Sequence, residues 1–279
     1  MLRRREPIEL KSLDQIKLMR EAGLVVARGL EAMRSAVAPG VSTADLDALA
    51  RDVLASEGAT SSFLNYGFPP FPAVICASVN AEVVHGIPSP RTVLREGDLI
   101  SIDFGAIVNG WHGDAAVTVP VGAVSAEAAA LSSACEKALW DGLAAARAGG
   151  RLTDISHAVQ ESVRASGTFG IVTGYGGHGI GSQMHMDPHV HNTGRPGRGP
   201  HLVPGMALAV EPMVTLGVAT THELADHWTV ASADGSLAAH WEHTVAILDD
   251  GPWVLTAPDG GRAELAARGI PLSALSTAV

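Results

Sequence analysis

The dipeptide Asn109-Gly110 constrains the fold of this 279-residue chain more than any other feature. Asn-Gly is the strongest short signal for a two-residue β-hairpin turn, because both central positions of that turn need positive φ. Strand-like runs flank it, Leu99-Ile-Ser-Ile-Asp103-Phe on one side and Gly113-Asp114-Ala-Ala-Val-Thr-Val119 on the other. With Asn109 and Gly110 as the turn, Asp103 pairs with Ala116. Asp114 stands two residues from Ala116, and side chains two apart on a strand share a face. The hairpin therefore predicts two carboxylates as diagonal neighbours on one side of a largely apolar ribbon. Two bare carboxylates there would repel, and a dication between them is the simplest remedy. For buried acids taken singly, a turn cap or an arginine partner is the ordinary alternative.

Further helix and strand signals surround the hairpin. Ser12 and Gln15 have capping-box spacing ahead of Ile16, Met19, Leu24 and Val25, which recur near the helical period until Pro39-Gly40. Ser42 with Asp45 opens a second helix, closed by Gly58. Strand-like sequence runs from Val74 to Val121, helical sequence from Ser125 to Ala148 and from Asp154 to Ser166, and Gly-rich strand-like sequence to Leu255. This order predicts an α+β chain in two layers, with two halves of similar make-up. One domain is expected over residues 1–255, with 256–279 a solvated, flexible tail carrying a short helix at 263–268.

More ligand-type residues follow in apolar or glycine-rich settings. Gly174-Tyr-Gly-Gly-His178-Gly-Ile-Gly181 sets one histidine among five glycines. The spacing of Gly174, Gly176 and Gly179 matches a dinucleotide fingerprint, but Gln183-Met-His-Met-Asp-Pro188 follows where an apolar helix should begin. Close backbone approach at His178 is the better account of the glycines. Glu211 lies in Ala207-Leu-Ala-Val-Glu211-Pro-Met-Val, and Glu242 in Ala239-His-Trp-Glu242-His-Thr-Val. Either alone suggests an ion pair. Together Asp103, Asp114, His178, Glu211 and Glu242 supply four carboxylates and one imidazole, a donor set for a pair of Mn, Fe, Co or Zn ions. His85 is either functional or a core histidine bonded to backbone, and His185, His189 and His191 form either a loose metal-binding tract or an exposed loop. His-Glu-x-x-His, Gly-x-Ser-x-Gly and Walker motifs are missing from the sequence.

Composition narrows the setting. A formal net charge of −10 argues against a nucleic-acid binder. The two cysteines, Cys76 and Cys135, are too few for a secreted disulfide framework. Neither a signal-peptide pattern nor an 18-residue apolar run is found, so cytoplasm is the expected compartment. The basic start, Arg3-Arg4-Arg5, has a solvated charge run as its default reading.

The motifs together resemble the type I methionine aminopeptidases, in their short bacterial form, from about Ile8 to about Leu255. The resemblance rests on Ser78-Val-Asn80-Ala-Glu-Val-Val-His85-Gly-Ile-Pro88, Asp98-Leu-Ile-Ser-Ile-Asp103, Gly113-Asp114-Ala-Ala, Gly177-His178-Gly-Ile-Gly181, His185-Met-Asp-Pro188, Gly205-Met-Ala-Leu-Ala-Val-Glu211-Pro-Met and Trp241-Glu242-His-Thr. It implies the pita-bread fold, two pseudo-symmetric halves around a central site with two divalent metal ions. Asp103 is implied to hold one metal, His178 and Glu211 the other, with Asp114 and Glu242 bridging. His85 and His185 are implied to flank the substrate, Glu211 to shuttle the proton, and Phe68, Phe71, Cys76, Met184 and Trp228 to form the methionine pocket. One stretch departs from the family, Gly67-Phe68-Pro69-Pro70-Phe71-Pro72, where two tyrosines have become phenylalanines and Tyr66 is a candidate substitute for one. The implied activity is removal of the initiator methionine ahead of a small second residue, by a monomer acting on nascent polypeptide N-termini, with the ribosome as a partner and without DNA or a membrane. Two other readings share the fold: an X-Pro aminopeptidase or dipeptidase, and a metal-free binding module.

Overall fold

The computed structural model describes residues 7–277, and Arg3, Arg4 and Arg5 lie outside the described residues. Helix α1 spans Leu13–Ala36 and is opened by the expected capping box: the Gln15 amide donates to Ser12 Oγ at 3.3 Å and the Ser12 amide to Gln15 Oε1 at 2.8 Å. Its buried stripe is Ile16, Met19, Val26, Leu30 and Met33. Helix α2, Thr43–Ser56, has the same device from Ser42 and Asp45. Helix α1 lies on the hairpin of strands Leu99–Val108 and Trp111–Pro120, and α2 packs against α1 and the strand Ile75–Val79. Contact with α1 is close enough to need glycine on both sides. A Cβ on Gly113 would stand 2.8 Å from the Gly23 nitrogen, and one on Gly29 would stand 2.3 Å from the Phe104 ring.

The second half repeats the plan. Helices α3, Ala126–Ala145, and α4, Leu152–Ser166, pack on each other and on strands of the carboxy-terminal part. Leu131, Leu139, Ile155, Val159, Val210 and Val245 form the centre of that core. The two halves are therefore each a helix pair on antiparallel strands, and they meet where strand Trp111–Pro120 pairs with strand Glu242–Leu248. Among the described residues one nine-stranded antiparallel sheet runs through both halves, flanked by two three-stranded sheets. No helix among the described residues is long and apolar enough to cross a membrane.

The predicted hairpin register is present: Val108 pairs with Trp111 and Asp103 with Ala116. Neighbouring strands extend that row. Cys76 stands opposite Asp103, and Ala116 opposite Glu242. Directly paired residues in a ladder share a face, so Cys76, Asp103, Ala116 and Glu242 form one row across four strands, with Asp114 diagonal to it.

The expected solvated tail is not observed. After Leu255 the chain folds back onto the body: Thr256, Ala257, Leu265 and Ser273 are buried, and Leu265 belongs to the second-half core. Its short helix α5 runs over Arg262–Ala267. Three anchors hold it. Buried Arg20 donates to the carbonyls of Leu255, Ala257 and Pro258 at 2.6–2.8 Å, Arg268 Nε donates to Asp141 Oδ1 at 2.8 Å, and the Ala274 amide donates to Asp250 Oδ2 at 2.8 Å. An Ala- and Gly-rich composition disguised a segment that buries Ala257 and Leu265 and packs Ile270 and Leu272 against the second-half core.

Candidate metal centre and substrate cavity

The sheet row opens into a cavity of about 250 Å³ between the halves. Carboxylates and imidazoles form its floor. Asp114, His178, Glu211 and Glu242 are buried, and Asp103, partly exposed as a residue, has its Oδ1 closed from water. Two overlapping groups of ligand atoms are close enough to share an ion: Asp114, His178 and Glu242, and Glu211, His240 and Glu242. Asp103 adjoins them through the ladder and through its contact with Asp114.

Several bonds aim these side chains. Asp114 is strapped to the neighbouring strand by Thr244, whose Oγ1 accepts from the Asp114 amide at 3.1 Å and donates to its carbonyl at 2.8 Å. The glycines around His178 let its strand press between two others. A Cβ on Gly177 would stand 2.1 Å from the Ala209 oxygen, and one on Gly179 would stand 2.3 Å from the Asp187 oxygen. His178 Nδ1 is 3.0 Å from the Gly179 carbonyl, an acceptor only, so Nδ1 carries a proton and Nε2 is the nitrogen turned to the site. Nε2 faces Glu211 Oε1 at 3.6 Å. The Glu211 backbone is fixed in turn by Asn192, whose Nδ2 donates to its carbonyl at 2.9 Å.

The electrostatics fit a cation. Among the described residues, buried Asp103 Oδ1, Asp114 Oδ1, Glu242 Oε1 and His240 Nε2 have no hydrogen-bond partner. Burial, then repulsion from Asp114 and Glu211, pushes the Asp103 carboxyl far above its usual range. Burial and Glu211 push Asp114 up to about 8, and burial, Asp114 and Glu211 raise Glu242 strongly. Glu211 behaves oppositely. Burial raises it, but His240 and His178 outweigh that and hold it below its ordinary value. Four acids crowded without arginine or lysine, one of them already anionic, form a site completed by a dication. Cys76 is no ligand for it. Burial and the charge of Asp103 drive its thiol pKa up, so the sulfur stays protonated.

The opposite end of the cavity is an apolar sleeve. Phe71, Cys76 and Met184 are buried there, with Phe63 beside them and Trp228 edge-on to Phe71 at 5.2 Å between ring centroids. Phe68 is not part of it. That ring is 98% exposed, at the tip of a turn closed by the Phe71 amide donating to the Tyr66 carbonyl at 2.8 Å. Gly67, at φ 70°, packs under Trp228, and the chain leaves it heading outward. Tyr66 and Phe63 line the cavity instead.

His85 and His185 stand on the walls. His85 adopts a left-handed backbone, φ 62°, which turns its ring into the cavity 6.0 Å from Trp228. Burial holds its pKa below the ordinary histidine value, as it does for His185, where His178 adds to the effect. The His185 ring lies 4.3 Å from that of His178, and its Nδ1 is 2.7 Å from Tyr66 Oη. His189 lines the cavity edge and stacks edge-on with His191, but neither joins a ligand group.

His240 is the site residue that the sequence reading missed. It is 2% exposed, and its Nε2 lies 3.5 Å from Glu211 Oε2 and 3.9 Å from Glu242 Oε2. A signal existed in its position two residues before Glu242, but Trp241 between them belongs to a strand change that sequence periodicity does not show.

Comparison with known proteins agrees with this geometry. Residues 17–249 match metallopeptidase family M24. Methionine aminopeptidase 1 of Mycobacterium tuberculosis is 55% identical over 91% of this chain and 97% of its own length. Methionine aminopeptidase of Clostridium acetobutylicum is 53% identical over 89% of this chain and 98% of its own. The crystal structure of methionine aminopeptidase from Thermotoga maritima superposes with a TM-score of 0.86 at 38% identity, covering 90% of this chain and 99% of that one. With its pita-bread halves, its acidic floor and these relatives, the chain belongs to metallopeptidase family M24 and, within it, to the type I methionine aminopeptidases.

Proposed function

We propose that this metal-dependent aminopeptidase seats an N-terminal methionine in the sleeve of Phe71, Cys76, Met184 and Trp228. Two divalent ions of the Mn, Fe, Co or Zn type would be held by Asp103, Asp114, His178, Glu211 and Glu242. The observation that carries the reading is one cavity in which an aromatic and sulfur-lined end adjoins four acids, three of them buried. Ions at these ligands supply Lewis-acid polarisation of the scissile carbonyl and an acidified water as nucleophile.

The chain's own residues would do the rest. Glu211, held anionic by its imidazole neighbours, takes a proton at a carboxylate oxygen and passes it to the leaving amine. In this reading Tyr66 Oη, 2.7 Å from His185 Nδ1, acts as the donor, which leaves Nε2–H as a neutral donor toward the carbonyl oxygen. His85 approaches from the Trp228 side in the same role. The sleeve accepts a long, soft, uncharged side chain. A Lys or Glu in first position would bury its charge without a partner. The second residue is small, such as Ala, Gly or Ser. Nascent polypeptide N-termini are the substrates, met at the ribosome by a monomer. Two buried free thiols accord with a reducing cytoplasm.

A peptide series varying positions one and two tests the reading. Met-Ala peptides should be cleaved fastest, norleucine-first peptides more slowly, and Lys-first and Ala-Pro peptides not measurably. Equal turnover of Lys-first and Met-first peptides would remove the sleeve assignment. Preference for Ala-Pro would restore the X-Pro reading, which the named relatives do not favour. A chelator-stripped enzyme that kept full activity would support the metal-free alternative.

A further inference from the structure

His240 stands in the metal centre with an imidazole nitrogen, Nε2, that has no hydrogen-bond partner among the described residues. Its backbone is held on both sides, the amide donating to Thr118 Oγ1 at 2.9 Å and the carbonyl accepting from the same hydroxyl at 2.8 Å. Ser101 Oγ, 2.9 Å from Thr118 Oγ1, supports that hydroxyl from the next strand. These bonds fix the backbone from which the His240 ring, 2% exposed, projects into the site.

The distances have an internal calibration. His178 and Glu211, proposed to share an ion, bring Nε2 and Oε1 to 3.6 Å. His240 brings Nε2 to 3.5 Å from the other oxygen, Oε2, and to 3.9 Å from Glu242 Oε2. The Glu211 carboxylate thus has an imidazole facing each oxygen at nearly the same separation. A strong N–H···O contact would be about 2.7–3.2 Å. Two donors bonded to one ion at about 2.0–2.1 Å each, in tetrahedral geometry, stand about 3.4 Å apart. The ligand atoms of Glu211, His240 and Glu242 also lie within 4.8 Å of one another.

We infer that His240 is a sixth protein ligand of the centre, binding through Nε2 the divalent ion held by Glu211 and Glu242. This rests on the metal-centre reading above. It makes the donor set four carboxylates and two imidazoles. Imidazole suits Fe, Zn, Ni and Cu better than Mn, whereas carboxylates suit Mn. The second imidazole therefore biases the site away from Mn and toward the later metals.

The test is Co(II) titration of the metal-free full chain, read by calorimetry and by the visible d–d spectrum, for wild type, His240→Gln and His240→Ala. Circular dichroism and melting of the metal-free proteins establish that both variants fold. Gln keeps an N–H donor near Glu211 but removes the imidazole nitrogen. Both variants are expected to bind cobalt at least about 10-fold more weakly, to show altered spectra, and to gain preference for Mn over Co in competition. If His240→Gln binds cobalt with wild-type affinity and an unchanged spectrum, His240 is only a hydrogen-bond partner and the inference fails. Absence of cobalt binding by the wild type would instead sink the metal-centre reading itself.

Discussion

Tyr66 Oη and His185 Nδ1 lie 2.7 Å apart, and this bond joins a loop before the first long hairpin to a loop 119 residues later. With the Tyr66 hydroxyl as donor, it holds the His185 tautomer that the proposed chemistry needs. Tyr66→Phe keeps the ring and removes the bond. A neutral hydrogen bond contributes about 0.5–1.5 kcal/mol, so kcat should fall about 2- to 10-fold with KM little changed. Phe68→Ala should change neither constant, because Phe68 is 98% exposed. Steady-state kinetics of both variants decide the matter, and equal losses would put Phe68 back in the substrate path.

Metal binding should be linked to pH. In the metal-free site Asp103, Asp114 and Glu242 hold protons that the unfolded chain has already lost, with Asp114 titrating at about 8. Their folded pKa values are raised. The stability they contribute is present below the ordinary carboxylate range and is lost as pH rises through their raised folded values, about 8 for Asp114. A bound dication replaces those protons. The rise in Tm on adding Co or Mn should thus be larger at pH 8 than at pH 5. Equal shifts at the two pH values would show that these carboxylates are not the ligands.

Met184 closes the sleeve beside Phe63, Phe71 and Cys76 and is 4% exposed. Met184→Ala should cost about 2–5 kcal/mol of stability as a buried truncation. It should also lower kcat/KM for Met-first peptides about 10-fold or more, while Phe-first peptides gain relative to them as the wall recedes. Denaturant melts and a two-substrate comparison measure the two effects. An unchanged substrate ratio would place the methionine elsewhere.

His243 faces away from the site, with Nδ1 2.8 Å from Thr256 Oγ1 and its ring 5.1 Å from that of Trp140. Burial lowers its pKa from 6.5 to about 4. A depressed histidine is neutral in the fold and charged in the unfolded chain between those values. Its stability is therefore present above pH 6.5 and is lost as pH falls toward about 4. At pH 5 the loss approaches about 2 kcal/mol. His243→Gln should lose less stability than wild type between pH 7 and pH 5. Metal-loaded proteins keep the carboxylates from titrating in that comparison. Parallel stability curves would contradict the sign.

Arg20 ties the carboxy-terminal segment to α1 through three carbonyls and lies over Trp253 at 5.8 Å. Arg20→Met keeps the stem but strips those bonds, and about 2–4 kcal/mol of stability should be lost because bonds to a charged donor are the stronger ones. Hydrogen exchange should rise first in residues 255–268. A change within about 0.5 kcal/mol would mean the segment is held by its apolar contacts alone.

The sequence by itself determined whatever local chemistry or strand pairing specifies. Asn109-Gly110 set the hairpin, and with it the pairing of Asp103 with Ala116 and the diagonal place of Asp114. Ser12 with Gln15 and Ser42 with Asp45 set two helix starts, and the glycines about His178 announced a crowded backbone. Tertiary structure alone decided that Tyr66 turns in while Phe68 turns out, because the positive φ at Gly67 and the packing of Trp228 redirect the loop. Only the fold could bring His240 to Glu211, since that approach needs strand Ala238–His240 paired with Met213 just beyond Glu211. The same holds for the segment after Leu255, whose burial depends on Arg20, a partner more than 230 residues away. Periodicity and capping act over a few residues and leave a trace in the sequence, whereas these contacts join segments that only the completed sheet places side by side.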